Sequence, residues 1–255
     1  MSIAIVIPAR YASSRLPGKP LLQATGQYLI EHVYERACQA RCADEVIVAT
    51  DDDRIRDAVL SFGGRAVMTR SDHPSGTDRV AEVARGLTAN IIVNLQGDEP
   101  TLEAESIDLL VELLERDAGS AMATLAVPIT DRVSYLSPNV VKVVRDDRGR
   151  ALYFSRSPIP MVRDGDPDFA ARPVRFLQHL GLYAYRREFL LKLAAIPPHP
   201  LEEAEKLEQL RVLGTGESIQ VGIANRAHRG IDTPADYAEF VRHWREQSPA
   251  KPRAA

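Results

Sequence analysis

The chain has 255 residues, 45% of them hydrophobic and 26% charged, and its net charge is −3. This composition predicts an ordinary globular protein with a core large enough to need no disulfide staples. The small negative charge provides no broad basic field for nucleic acid or an anionic membrane. No apolar run approaches the ~20 residues of a membrane-spanning helix. We therefore expect neither nucleic acid nor a membrane as a partner.

The chain contains two cysteines, Cys38 and Cys42, four residues apart on a predicted helix. Their spacing is not C-x-x-C, and they belong to no Cys/His cluster, so we interpret them as reduced structural thiols. The N-terminus enters a strand directly, without a basic segment and a cleavage site. Together these features predict a cytoplasmic location.

The first half of the chain alternates between short apolar runs and segments with helical spacing. The predicted strands are 3–8, 45–50, 65–69 and 90–96. The predicted helices are 28–41, 53–62, 77–86 and 103–117, with Thr77 expected to cap the third. Alternation of this kind is typical of a parallel, doubly wound sheet.

The pattern changes after Ala121. Three strand-like segments separated by turns, at 122–129, 139–146 and 151–156, predict a hairpin-rich insertion beside the parallel sheet. A polar loop follows at 162–173. The remaining predicted elements are a strand at 177–186, a helix at 202–213, a strand at 218–224 and a helix at 233–246. We expect residues 1–246 to form one domain and 247–255 to be a flexible tail.

The loop after the first strand carries three cations, Arg10, Arg15 and Lys19, among two prolines and a glycine. Ligands of open α/β sheets bind beyond the carboxyl ends of the strands, so this loop is placed to hold a polyphosphate. It has neither the spacing of a Walker A motif nor that of a Gly-x-Gly-x-x-Gly dinucleotide loop. A basic surface loop is the alternative interpretation.

Two aspartates also follow predicted strands. Asp98 comes after the strand 90–96 in "NLQGDEP", and Asp232 lies in "RGIDTPADY" before the last helix. Hard carboxylate oxygens suit Mg²⁺, which binds few carboxylates and keeps water and phosphate ligands. Together the two aspartates would form a clamp for one or two metal ions. Taken singly, each is a common turn or helix-start residue.

Other polar stretches indicate less. The loop "SDHPSGTDR" (71–79) offers hydroxyl and N–H groups to a base or a phosphate, but a capped loop explains it equally well. His179 on a predicted strand is interpreted first as a structural histidine. The segment "EKLEQLRVL" places Glu205, Glu208 and Gln209 on one helical side, normally a solvated face.

The motifs together resemble one enzyme family over nearly the whole chain, from Ile3 to about Tyr237. They include "IPARYASSRLPGKPL", "SDHPSGTDRVAEV", "VNLQGDEP", "ALYFSRSPIP", "HLGLYAYR", "LEQLRVL" and "GIDTPADY". This series is similar to the 3-deoxy-manno-octulosonate cytidylyltransferases. The resemblance implies a Rossmann-like, doubly wound mixed sheet of the nucleotide-diphosphosugar transferase type. It also implies a homodimer joined through the hairpin-rich insertion, with sugar binding and dimerisation in about 125–215.

The resemblance further implies a role for individual residues. The residues expected to bind CTP are Ala9, Arg10, Arg15, Lys19, Ser75, Thr77 and Asp98. The residues expected to bind the sugar acid are Arg79, Gln96, Arg156, His179, Tyr185, Glu205 and Gln209. Asp98 and Asp232 are expected to hold Mg²⁺, and Arg15, Lys19, Asp98 and Asp232 to form the catalytic set.

The implied activity is Mg²⁺-dependent transfer of CMP from CTP to 3-deoxy-D-manno-octulosonate (Kdo). Two departures from the family pattern fall on the sugar side: Met161 stands where an aromatic residue is frequent, and Glu203-Ala204-Glu205 where His-Ile-Glu is frequent. These departures concern the sugar contacts and not nucleotidyl transfer, and two alternatives stay open. One is a cytidylyltransferase for 8-amino-Kdo or another sugar acid, and the other is a catalytically silent nucleotide-binding regulator. A scaffold protein is disfavoured, because polar residues gather at strand ends.

Overall fold

A computed structural model of the chain describes residues 1–12, 16–228 and 230–247. Within these residues nine strands form one sheet. The strands are β1 (Ile3–Ala9), β2 (Glu45–Thr50), β3 (Ala66–Met68), β4 (Ile91–Asn94), β5 (Met122–Pro128), β6 (Lys142–Arg145), β7 (Ala151–Ser155), β8 (Leu177–Arg186) and β9 (Ile219–Ile223). Residues 248–255, most of the predicted tail, lie outside the described residues.

The helices of the described residues pack on this sheet and around its edges. They are α1 (Leu29–Cys38), α2 (Asp53–Ser61), α3 (Gly76–Arg85), α4 (Ala104–Arg116), α5 (Arg132–Leu136), α6 (Arg187–Leu193), α7 (Pro200–Glu205), α8 (Gln209–Gly214) and α9 (Pro234–Gln247), with a 3-10 turn at Lys19–Leu21. In the part of the chain that the structure describes, no helix combines the length and apolarity needed to cross a membrane.

The strand order is β3-β2-β1-β4-β8-β5-β9, with β6 pairing to β8 and β7 to β6. Strands β3, β2, β1 and β4 are parallel, β8 runs antiparallel between β4 and β5, and β9 is parallel to β5. The predicted doubly wound mixed sheet is therefore confirmed. The chain leaves β1 for β2 and returns to β4 on the other side of β1. This order makes the carboxyl ends of β1 and β4 the switch point where ligands of such sheets bind.

The core explains why β1 can anchor a functional loop. Ile5 and Ile7 face α1 and α4 and are fully buried, while Ala4 and Val6 face α3 on the other side of the sheet. Burial of each isoleucine side chain contributes about 2 kcal/mol relative to exposure. The apolar run thus fixes the position of the residues that follow Ala9.

The structure corrects the predicted start of the third helix. Ser75, and not Thr77, is its N-cap: Ser75 has an extended backbone, and its hydroxyl accepts a hydrogen bond from the N–H of Asp78. The cap therefore lies directly before Gly76. Thr77 lies within the first turn, and its hydroxyl instead donates to Glu208 at 2.6 Å.

The predicted helix at 202–213 is also wrong. The structure contains two short helices, α7 and α8, because Lys206 adopts a left-handed backbone conformation with φ of 53° that no helix continues through. Apolar spacing runs on across the break, so periodicity alone could not reveal it.

The insertion contains less hairpin structure than the sequence predicted. Strands β6 and β7 form a hairpin around the turn 146–150. The segment predicted at 122–129 is β5, which belongs to the main sheet between β8 and β9. The short helices α5 and α6 were not predicted, because each is too brief to show a clear helical period.

Candidate active site

The loop after β1 is closed by a glycine at a position where the backbone requires one. Gly18 has φ of +66°, a left-handed conformation that costs glycine little, and its N–H donates to the carbonyl of Tyr11 at 3.1 Å. A 3-10 turn, Lys19–Leu21, begins at the next residue, and its middle residue, Pro20, is buried. The turn places Lys19 at the switch point of the sheet.

The loop after β4 lies directly against the end of β1. A Cβ on Gly97 would lie 2.9 Å from the carbonyl oxygen of Pro8, closer than side chains pack against backbone. The N–H of Leu95 continues the pairing by donating to Val6 at 3.1 Å. This close approach places Asp98 beside Lys19.

The ammonium group of Lys19 lies between two carboxylates distant in sequence. Its Nζ is 2.6 Å from Oδ2 of Asp98 and 3.6 Å from Oδ1 of Asp232, and it donates to the carbonyl of Ile231 at 2.8 Å. The N–H of Ile231 in turn donates to the backbone carbonyl of Asp98 at 2.9 Å. The structure thus brings Asp98 and Asp232 to either side of one ammonium group, and their role as metal ligands stays a prediction.

This arrangement fits a divalent cation. Both carboxylates already converge on a single positive charge, and their oxygens are the hard donors that Mg²⁺ prefers. Among the described residues, no cluster of three or more His, Cys, Asp or Glu side chains has the geometry to hold a metal. A cation bound by Asp98 and Asp232 would therefore take its other ligands from phosphate and water.

A cavity of about 420 Å³ opens at this switch point. Among the predicted residues, its wall includes Ala9, Arg10, Lys19, Ser75, Gln96, Asp98 and Asp232. Arg10 is held by hydrogen bonds from its guanidinium to the carbonyls of His73 (2.6 Å) and Ser75 (3.1 Å). Because α3 begins beside Ser75, its N-terminal N–H groups add positive potential beside Arg10 and Lys19, in a wall that also carries the carboxylates of Asp98 and Asp232. Arg15 lies outside the described residues.

A second cavity, of about 630 Å³, lies next to the first. Arg156 and His179, both predicted to bind the sugar acid, form part of its wall, together with Glu99 and His228. Asp232 lines both cavities. Two separate ligands, one in each cavity, would therefore meet at Asp232.

The backbone around Arg156 is held by buried polar groups. Lys142 is fully buried and donates to the carbonyl of Arg156 and to those of Ser137 and Val140. The carboxylate of Glu205 accepts from the N–H of Arg156 at 2.9 Å and from the hydroxyl of Ser155. Glu205 thus positions Arg156, and its carboxylate points to the backbone of β7 and not to a cavity wall.

His179 is neutral at physiological pH, because burial lowers the pKa of its imidazole to about 3. Its Nε2 lies 2.9 Å from the hydroxyl of Thr124, which also has the carbonyls of Leu180 and Leu182 within hydrogen-bond distance. A hydroxyl has one proton, and the carbonyls can only accept it. This network favours Nε2 of His179 as the donor to Thr124 and leaves Nδ1 as an acceptor.

A narrow cleft that shares Ser75 with the first cavity contains three further predicted residues. Thr77, Tyr185 and Gln209 line a space of about 10 Å³, which is at most room for one water. The hydrogen bond from Thr77 to Glu208 crosses this cleft. Burial raises the pKa of Tyr185 and of Glu208. The structure therefore does not bring Tyr185 and Gln209 into the cavity that holds Arg156.

Arg79 lies elsewhere. Its side chain is fully buried, with Nη2 3.2 Å from Asp51 and Nη1 donating to Thr69. Its contacts join α3 to the ends of β2 and β3. Arg79 is absent from the described walls of both cavities.

Sequence reasoning missed Glu99 and His228. Glu99 directly follows Asp98 in "GDEP", so its position beyond β4 was a usable signal. His228 lies in the connection after β9, where no motif marks it. Only the fold brings this connection over the loop that follows β4.

Comparison with known proteins places the chain in a family. Residues 4–219 match the cytidylyltransferase family model. The 3-deoxy-manno-octulosonate cytidylyltransferase of Syntrophotalea carbinolica is 51% identical over 248 residues, which cover 96% of this chain and 99% of that protein. The protein of the same name from Syntrophobacter fumaroxidans is 54% identical over 244 residues, covering 94% and 96%.

Solved structures agree. A CMP:2-keto-3-deoxy-manno-octonic acid synthetase in complex with CTP superposes with a TM-score of 0.90 and 45% identity, over 97% of this chain and 100% of that one. The 4-diphosphocytidyl-2C-methyl-D-erythritol synthase of Anaerococcus prevotii shares the fold, with a TM-score of 0.63 and 15% identity over 95% and 97%. The chain belongs to the cytidylyltransferase family, among its 3-deoxy-manno-octulosonate cytidylyltransferases.

Proposed function

We propose that this protein transfers CMP from CTP to the anomeric 2-hydroxyl of Kdo, releasing pyrophosphate and activating Kdo for lipopolysaccharide biosynthesis. The observation that carries the proposal is the position of Asp232, which lies on the wall of both cavities and faces the ammonium of Lys19. A nucleotide in the first cavity and a sugar acid in the second would meet at this residue. The names of the full-length relatives support the same reaction.

The first cavity supplies what a triphosphate needs. Arg10 and Lys19 are cations on its wall, and Arg15 remains a predicted third. Ser75 and the backbone of Ala9, both on this wall, would contact the nucleoside, and Thr77 is predicted to lie near it. Phosphoryl transfer depends on positioning and charge neutralisation more than on covalent help. Lys19 would stabilise the negative charge that builds on the pyrophosphate leaving group.

The proposal includes Mg²⁺ held by Asp98 and Asp232. Bound there, the ion would neutralise phosphate oxygens and lower the proton affinity of the attacking hydroxyl. Asp98 and Asp232 would hold the ion through their carboxylate oxygens, and Lys19, which contacts both carboxylates, would bind phosphate beside it. The attacking hydroxyl and the α-phosphate must lie in line, which the adjacent cavities permit.

The second cavity suits a sugar acid. Arg156 is a cation on its wall for the sugar carboxylate, and neutral His179 offers Nδ1 as an acceptor for a hydroxyl proton. Gln96, on the wall of the first cavity, would contact the sugar from the nucleotide side. Arg79, Tyr185, Glu205 and Gln209 remain the other predicted sugar contacts.

The experiment is pyrophosphate release from CTP and Mg²⁺ with Kdo, 8-amino-Kdo, sialic acid or no sugar. The proposal expects release with Kdo. Release with 8-amino-Kdo alone would keep the mechanism and change the sugar. No release with any sugar, despite CTP binding, would overturn the proposal in favour of a nucleotide-binding regulator.

The proposal extends to the organisation of the protein. One sheet from β1 to β9 supports a single domain over 1–246. The predicted homodimer is supported by exposed apolar side chains within 125–215, namely Val133, Leu136, Leu152, Met161 and Leu201. Light scattering that gives a monomer mass at micromolar concentration would refute the dimer. Two free cysteines support the cytoplasmic location.

A further inference from the structure

Glu99 and His228 form a buried pair on the wall of the second cavity. Their side chains are 11% and 5% exposed, and Nδ1 of His228 lies 2.9 Å from Oε2 of Glu99. Arg156, His179 and Asp232 line the same cavity. The pair therefore borders the space assigned to the sugar acid without belonging to the phosphate machinery.

One polar atom of this pair has no partner within the described part of the chain. Nδ1 of His228 and Oε2 of Glu99 face each other as an ion pair at 2.9 Å, whereas Nε2 of His228 has no hydrogen-bond partner there. Folded proteins pair the large majority of their buried polar atoms, because leaving one unpaired is costly. An unpartnered Nε2 on a side chain only 5% exposed, at the wall of a cavity, indicates a group available to a ligand.

We propose that Glu99 and His228 bind hydroxyl groups of the sugar acid and help to select it. This inference rests on the proposed function. A hydroxyl can donate to the carboxylate of Glu99 and accept from an N–H of His228 at the same time, which neither an apolar group nor a carboxylate can do.

The charges around the cavity also orient such a ligand. Arg156 attracts a carboxylate, whereas Glu99, Asp232 and Asp236 repel one. A polyhydroxylated acid therefore has one favourable placement, with its carboxylate toward Arg156 and its hydroxyls toward Glu99 and His228. A sugar with a deleted hydroxyl would leave the buried pair unsatisfied.

His32 provides a matched control elsewhere in the fold. It is also buried, and its Nδ1 also has no partner among the described residues. It packs under α9 against Phe240 and Trp244, with ring centroids 5.2 and 4.4 Å away. A histidine of purely structural importance should behave like His32 on replacement.

The test compares His228→Leu, His228→Gln and His32→Leu in steady-state kinetics with CTP and Kdo. Leucine has a similar volume and no polar atom. We expect His228→Leu to raise the KM for Kdo about ten-fold, the effect of losing one good hydrogen bond, with the KM for CTP within two-fold. Some loss of thermal stability is expected, because leucine leaves the buried carboxylate of Glu99 without its ion-pair partner, so the KM for Kdo relative to that for CTP is the deciding readout. His228→Gln, which restores an N–H donor, should recover part of the affinity.

Two controls fix the meaning of the result. His32→Leu should leave both KM values unchanged. Kdo analogues that each lack one hydroxyl should include one for which wild type and His228→Leu have equal KM values.

The inference is wrong if His228→Leu keeps the KM for Kdo within two-fold, or if it lowers kcat and both affinities together with thermal stability. That outcome, seen with an active wild type, leaves the proposed function standing. A wild type that releases no pyrophosphate with any sugar acid instead refutes the proposed function, and this inference falls with it.

Discussion

Replacement of Asp98 by asparagine separates the catalytic role of its charge from its structural role. The two side chains have nearly the same shape, and the asparagine amide would still offer its oxygen to the ammonium of Lys19. At 2.6 Å, with an effective dielectric constant of about 20, the gross attraction between the two charges is about 6 kcal/mol. Desolvation of both groups offsets most of this attraction, since the side chains are only 13% and 28% exposed. We expect a net loss of about 1 kcal/mol in the free energy of unfolding, which lowers Tm by about 2–4 °C for a chain of this size.

The expected effect on catalysis is much larger. Removal of one group that stabilises charge in the transition state typically costs about 10²–10³ in kcat. The assay is pyrophosphate release at saturating CTP and Kdo, with Tm measured on the same preparations. Asp117→Asn is the matched control: Asp117 makes a 2.9 Å ion pair with Arg150, is similarly buried and lines neither cavity. It should lose at least as much stability and keep the wild-type kcat.

A kcat for Asp98→Asn within three-fold of wild type would refute the assignment of Asp98 to the catalytic cation site. A large loss of activity matched by Asp117→Asn would also refute it, because the loss would then follow stability and not the charge at the cavity. Mg²⁺ titrations of CTP binding provide a second readout, in which Asp98→Asn should need more metal than the control.

Three further outcomes are expected. Lys19→Ala should raise the KM for CTP about ten-fold, since it removes a charge-assisted phosphate contact, and unchanged CTP kinetics would remove Lys19 from the site. Hydrogen bonds from Gln220 and Ser120, together with Arg150, hold the pKa of Asp117 in the folded protein well below its value in the unfolded chain. The ionised carboxylate therefore stabilises the fold above the unfolded pKa, and this stabilisation is lost as the pH falls toward the folded pKa. Asp117→Asn should therefore flatten the decline of Tm below about pH 4, and an unchanged acid profile would contradict this reasoning. Gly97→Ala should lower the free energy of unfolding, measured in urea, by about 1–3 kcal/mol, since its Cβ would lie 2.9 Å from the backbone carbonyl of Pro8. Wild-type stability would show that the loop after β4 does not contact the end of β1.

The parts of the site that sequence could predict are those carried by local patterns. A buried apolar run ending in a cationic loop indicated β1 and placed Lys19 beyond it. Asp98 was predictable for the same reason, because it follows β4. That Asp232 meets Asp98 depends on the hydrogen bond between Ile231 and the backbone of Asp98, which no local pattern encodes.

Other features could not be predicted from the sequence, because local patterns there fit more than one structure. Thr77 was a plausible cap, but Ser75 is the residue whose extended backbone lets its hydroxyl reach the N–H of Asp78. The break at Lys206 carries no glycine to indicate a left-handed residue. The separation of Tyr185 from the cavity of Arg156 depends on tertiary structure, because the sequences of β8, which carries Tyr185, and β7, which precedes Arg156, predict only strands.

The two departures from the family pattern take on a physical meaning in the fold. Met161 is 77% exposed, so it contributes little to the packing of this chain by itself. Ala204 lies on α7 beside Glu205, whose carboxylate is already engaged by Ser155 and by the backbone of Arg156. A change at 204 can therefore reach the sugar through the placement of Arg156, which is proposed to bind the carboxylate common to Kdo and its 8-amino analogue. Selection between those sugars then depends on groups that bind hydroxyls, and the proposed ones are Glu99 and His228, whose side chains line the second cavity, where Nε2 of His228 has no partner among the described residues.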